Sequence, residues 1–130
     1  LLVSAAILHD IAKTKEFSDF PVNDYTDEGN FLGHIVMGVE MIGEKVKEIP
    51  GFPPMLEMEL KHCILAHHGE YEFGSPKKPA IIEAIALNHA DNTDAKLESM
   101  KELLKSAGDN RDWMGFNKIF ESNIRKTGSN

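Results

Sequence analysis

Six histidines stand at positions 9, 34, 62, 67, 68 and 89, several of them where a helical pattern asks for a core residue. His9-Asp10 closes the apolar run that starts at Leu1, and His34 lies between Leu32-Gly33 and Ile35-Val36. His67-His68 ends a third helix-forming stretch. Asp91 shares a helical face with Ala84 and Leu87. A carboxylate left unpaired on such a face is costly to bury. A single imidazole near an apolar face is more often a hydrogen-bonded core residue than a ligand. The joint pattern differs, because each of these groups falls on a different helix. Either they all face solvent or they converge on a shared ligand.

Imidazole and carboxylate together are the donor set of Zn, Fe, Mn, Ni or Co. Two such cations side by side lower the pKa of a water and clamp a phosphodiester for in-line attack. An aspartate at their junction can bridge them with its two oxygens, the role expected of Asp10. Lys13, three residues on, either neutralises a phosphate oxygen in the transition state or is a solvated lysine near a helix end. Gly74-Ser75-Pro76-Lys77-Lys78 is either a phosphate contact through backbone N–H groups, Ser75 and Lys77 or a plain interhelical connection with solvated lysines, and the flanking Tyr71 and Phe73 either stack on a base or cover the end of the bundle. His62 and His89 read as packed or surface residues, Cys63 as a core thiol, and Met37, Met41, Met55 and Met58 as core filler.

The elements that must position these groups are almost all helical. The first predicted helix covers Leu1–Lys15 and is apolar around most of its circumference, as a buried helix is. Adjacent helical residues point about 100° apart, so His9 and Asp10 serve one cluster only at its edge. Glu16–Asn30 reads as a loop long enough to suspect a functional role. The second helix covers Glu28–Lys47, with Leu32, Ile35, Val36, Val39, Ile42 and Val46 on one stripe. The third runs Pro54–His67, Gly69–Pro79 forms a loop, and the fourth runs Ala80–Ala107 with Gly108 as terminator. In the remainder, Trp113, Phe116, Ile119 and Phe120 predict a short packed helix, and Lys126–Asn130 is expected to fray. The fold class is therefore an all-α helical bundle.

At 130 residues and 14.5 kDa the chain is expected to be one domain, residues 1–107 forming the core helices and 108–130 a C-terminal extension. No apolar run approaches the ~20 residues that span a bilayer, and one cysteine forms no internal disulfide. A cytoplasmic protein with no membrane partner is expected. The apolar start has no basic flank and no initiator Met, and it reads as a fragment cut within its first helix. The net charge of −7 disfavours a surface that grips phosphate backbones throughout. It leaves a metal enzyme open, because bound cations invert the local field.

Particular stretches are familiar. His9-Asp10-Ile11-Ala12-Lys13 resembles the signature of the HD-domain metal-dependent phosphohydrolase superfamily. Leu8–Lys13, Tyr25–Ile35, His67-His68-Gly69, Gly74–Pro79 and Asp91–Lys96 are similar in order to the YhaM-type 3′-5′ exoribonucleases, over about positions 1–100. The resemblance implies a helical bundle holding one or two divalent transition-metal ions. His9, Asp10 and Asp91 would hold the first. His34 with one or both of His67 and His68 would hold the second, Asp10 bridging. The family also places a ligand histidine on a helix ahead of the His-Asp pair, before Leu1 here, and often has glycine where Ala12 stands. The implied function is phosphodiester hydrolysis, with single-stranded RNA or oligonucleotide 3′ ends as substrate. The alternatives are an HD-fold nucleotide or cyclic-dinucleotide phosphohydrolase, and a regulatory module that binds nucleotide without cleaving it.

Overall fold

The computed structural model describes residues 1–108 and 112–128. Five α-helices follow one another: α1 (Leu2–Leu8), α2 (Lys13–Glu16), α3 (Asp27–Lys47), α4 (Pro54–Ala66) and α5 (Ile82–Ser106). A 3₁₀ turn, Tyr71–Phe73, lies between α4 and α5, and a two-stranded hairpin, β1 (Trp113–Asn117) and β2 (Ser122–Arg125), follows α5. The helical class expected from the sequence is borne out. No helix among the described residues is long and apolar enough to cross a membrane.

Two compact units divide within α5, Leu1–Asn92 and Thr93–Asn130. In the first, α3 packs on α2 and α4, and α1 on α4. The core gathers Ala5, Ile42, Leu60, Cys63, Ile64, Ala66, Ala84 and Leu87. Small residues at Ala5, Ala66 and Ala84 let backbones approach, while Ile42, Leu60 and Ile64 fill the space between them. Cys63 is buried as expected, and burial, followed by the charge of Glu83, pushes its thiol pKa up. Met37 is core, whereas Met55 and Met58 are exposed and are not the filler expected of them.

The expected first helix is two helices. After Leu8 the chain tightens into turns: the Ile11 N–H donates to the Leu8 carbonyl and the Lys13 N–H to the Asp10 carbonyl, each three residues back. His9 and Asp10 sit in that break, which removes the 100° conflict a continuous helix would impose. Nor is α1 buried all round, since Val3 and Ile7 are exposed.

Helix α3 begins at a Thr26 cap whose hydroxyl accepts the Gly29 N–H at 2.9 Å, with Asp27 and Glu28 in the positive first turn. It breaks at Gly33, whose φ of 71° and ψ of 157° no helix accommodates. The second correction concerns the tail. Trp113–Arg125 forms an antiparallel hairpin where a packed helix was expected, with Ile124 buried and Trp113, Phe116 and Ile119 exposed. Gly115, at φ +89°, accommodates the irregular register between Trp113 and Phe116. The last two residues of the tail expected to fray, Ser129 and Asn130, lie outside the described residues.

Candidate metal centre

The break at Gly33 sets up the site. A helical His34 N–H would bond four residues back, and the kink takes that partner away. The Glu16 carboxylate replaces it: Oε1 accepts the His34 backbone N–H at 2.9 Å and lies 3.1 Å from His34 Nδ1. Glu16 is held in turn by its own backbone, because its carbonyl accepts the Thr26 N–H and hydroxyl. A Cβ on Gly29 would stand 2.4 Å from that same carbonyl oxygen, so only glycine fits there. Sequence reasoning left Glu16 in a loop. No local spacing rule marks it, since it lies 18 residues from its partner.

Four histidines share one bonding pattern. Nδ1 of His9 lies 2.8 Å from the Ala6 carbonyl, that of His67 2.7 Å from the Ile64 carbonyl, and that of His68 2.9 Å from the Phe73 carbonyl. For His34 the partner is the Glu16 carboxylate. These partners only accept, so each Nδ1 carries the proton and donates it. In the neutral ring this leaves a lone pair on each Nε2, the tautomer a metal ligand needs. His67 is fully buried, and burial pushes its pKa down to about 4, which keeps it neutral at pH 7.

Three of these Nε2 atoms, those of His9, His34 and His67, lie near Asp10. Its Oδ1 lies 3.5 Å from His34 Nε2 and 3.8 Å from His67 Nε2, and its Oδ2 lies 3.4 Å from His9 Nε2. Asp91 Oδ1 is 3.5 Å from the same His9 nitrogen. His34, His67 and His68 each offer a ligand atom within 4.8 Å of the others. The rings of His67 and His68 meet edge-on at 4.2 Å. Burial raises the Asp10 carboxyl pKa, but the hydrogen bond from Lys13, the charge His9 carries when protonated, the charge of Lys13 and that of protonated His34 outweigh it and hold it below the usual value.

Asp10 Oδ1, His34 Nε2 and His67 Nε2 are buried without a hydrogen-bond partner. Buried polar atoms left without a partner are rare unless something satisfies them. A cation is the ligand that satisfies three lone pairs at once. Imidazoles and carboxylates are a donor set for a divalent transition metal: His9 lies by one oxygen of Asp10 and by Asp91, His34 and His67 lie by the other oxygen, and His68 is grouped with those two.

The remaining sequence candidates fall in different places. Lys13 reaches the centre, its Nζ 2.7 Å from Asp10 Oδ2. Lys77 is exposed in the α4–α5 loop. Ser75 does not present its hydroxyl to a substrate: it is buried, and its Oγ lies 2.8 Å from the Leu65 carbonyl and 2.7 Å from that of Lys77, locking the loop. His62 accepts the N–H of Ala80 in the segment ahead of α5, and His89 is exposed on α5.

Known proteins bear on this geometry. Curated relatives include proteins named 3′-5′ exoribonuclease YhaM from Bacillus subtilis (41% identical over 109 residues), Bacillus pumilus (43% over 105) and Halalkalibacterium halodurans (45% over 105). Each alignment covers 81% of this chain but only 32–33% of the relative, so the chain spans about a third of their length. No solved structure matches. The family model described as HD domain matches residues 1–96, a stretch that contains every histidine and aspartate of the centre, and the chain therefore belongs to the HD domain family.

Proposed function

We propose that this chain is the hydrolytic domain of a metal-dependent phosphodiesterase that acts on single-stranded RNA at its 3′ end. The observation that carries the hydrolytic part is the convergence of three unsatisfied buried acceptors, Asp10 Oδ1, His34 Nε2 and His67 Nε2, on one point. The RNA part rests on the relatives named as 3′-5′ exoribonucleases. In this reading His9, Asp10 and Asp91 hold one cation and His34, His67 and His68 a second, with Asp10 shared. Mn, Fe, Ni, Co and Zn all suit such ligands.

When bound, divalent cations supply Lewis acidity and a water acidified enough to attack phosphorus at neutral pH. The chain's own residues do the positioning. Asp10 faces its two oxygens to two different histidine groups, whose rings are held by their Nδ1 bonds to the Ala6 carbonyl and the Glu16 carboxylate. Glu16 fixes the His34 tautomer and strengthens its basicity through the Nδ1–H bond. Lys13, half-exposed at the rim of the Asp10 carboxylate, brings a positive charge to the position of a phosphate oxygen. Lys77, exposed on the α4–α5 loop, supplies a second cation for the RNA backbone.

The test is metal analysis of the full-length protein followed by cleavage of a 5′-labelled RNA oligomer with Mn²⁺ and with excess chelator. Stepwise shortening from the 3′ end that chelator abolishes is the expected result. Hydrolysis of a cyclic dinucleotide with no RNA shortening would move the assignment to another substrate of the same fold. Chelator-insensitive cleavage would overturn the metal reading.

A further inference from the structure

A pocket opens beside His68. It has a volume of about 320 Å³ and is lined by the 3₁₀ turn and the first half of α5. Small-molecule sites run from about 300 Å³ upward. Phe73, 64% exposed, offers an aromatic face, and Ile85 adds apolar surface. Asn88 and Asn92 lie one turn apart on α5 with His89 between them, and all three line the same space.

The charges there are already matched. Lys78 is ion-paired with Glu70 and stands 5.5 Å over the Tyr71 ring. The pocket thus has no strong field for a phosphate. It offers a ring to stack on and neutral groups that both donate and accept, which is the complement of an uncharged, flat heterocycle with a polar edge.

The pocket is tied to the metal centre by one residue. His68 lines it, and the His68 Nδ1 bonds to the Phe73 carbonyl at 2.9 Å. The stacking ring and the candidate ligand are the two ends of a single hydrogen-bonded loop. That loop is rigidly seated. Gly69 has φ +82°, a Cβ on it would stand 2.5 Å from the Asn88 amide nitrogen, and that amide donates to the His67 carbonyl at 2.7 Å.

We propose that this pocket receives the 3′-terminal nucleobase of the RNA, stacked on Phe73 and read at its edge by Asn92 and His89, while its phosphodiester lies at the histidine–aspartate centre. This rests on the hydrolase reading above, but binding tests it separately. The experiment measures equilibrium binding of a 5′-fluorescein RNA pentamer to the full-length protein in chelator, so that nothing is cut. The oligomer ends in adenosine or in an abasic ribose, and the protein is wild type, Phe73→Ala or Asn92→Ala.

Removing the base should weaken binding about 10-fold or more, as expected for one stacked base, and Phe73→Ala should do the same. Together the two changes should cost no more than either alone, because both delete one contact. Asn92→Ala should instead alter the ratio of affinities for adenosine-ended and uridine-ended oligomers. Both residues are exposed, so neither substitution threatens the fold. Losses that multiply in the doubly altered pair, or no loss on removing the base, would overturn the pocket assignment even if chelator-sensitive hydrolysis holds. The expected non-additivity with no metal-dependent cleavage would keep the pocket and overturn the hydrolase reading.

Discussion

Asp10→Asn isolates the charge of the central carboxylate from its shape. In the native chain Oδ2 meets Lys13 at 2.7 Å and His9 at 3.4 Å, while Oδ1 faces His34 and His67 at 3.5 and 3.8 Å. The amide keeps the volume and one oxygen. If its nitrogen turns to the His34 side it donates to a bare Nε2, a gain of about 1 kcal/mol. The cost is the half-exposed ion pair with Lys13, about 0–1 kcal/mol after solvent screening. The metal-free variant should therefore be within about 1 kcal/mol of wild type in a urea melt. Cation binding should not survive so well, because the substitution removes the negative charge both metal positions share. A cation at a hundred times its Kd stabilises the native state by about 2.7 kcal/mol. For a chain of this size that is a rise in Tm of about 10 °C. Wild type should show that rise with Mn²⁺ and Asp10→Asn should not, and RNA cleavage should fall by a factor on the order of 10³. A variant that keeps both the metal-dependent rise and the wild-type rate would refute the bridging role.

Three further outcomes are expected. Glu16→Gln removes the carboxylate that fixes His34 and should weaken metal affinity about 10- to 100-fold in a calorimetric titration, with the fold retained; Glu16→Ala should be worse, because the His34 N–H is then left without its acceptor. Gly29→Ala places a methyl 2.4 Å from the Glu16 carbonyl oxygen and should destabilise by about 1–3 kcal/mol in urea, with reduced metal affinity as Glu16 shifts. His62→Ala deletes only the acceptor of the Ala80 N–H, so it should cost about 1 kcal/mol of stability and leave RNA cleavage within twofold of wild type.

Legibility followed the range of the interaction that decides each feature. Helical periodicity and the proline and glycine stops are local, so the elements Asp27–Lys47, Pro54–Ala66 and Ile82–Ser106 could be read from the chain within a few residues. The centre was legible for a different reason. Histidines and an aspartate where apolar residues belong are inconsistent with a plain core, and that conflict marks a site. The tail was misread because Trp113, Phe116 and Phe120 fit a helical stripe as well as a bulged strand, and Gly115 with its positive φ decides between them.

The amino-acid sequence by itself determined the helical class, the family resemblance and the groups that meet at the centre, because residue type and spacing carry that information. Only the tertiary structure decided that His9 and Asp10 occupy a break between two helices, that Gly33 turns His34 toward Asp10, and that Glu16 completes the site. It also turned Ser75 inward and set Phe73, Asn88 and Asn92 around one pocket. Each of these depends on which groups a distant segment leaves unsatisfied, and a buried donor or acceptor finds its partner only after the chain has closed around it.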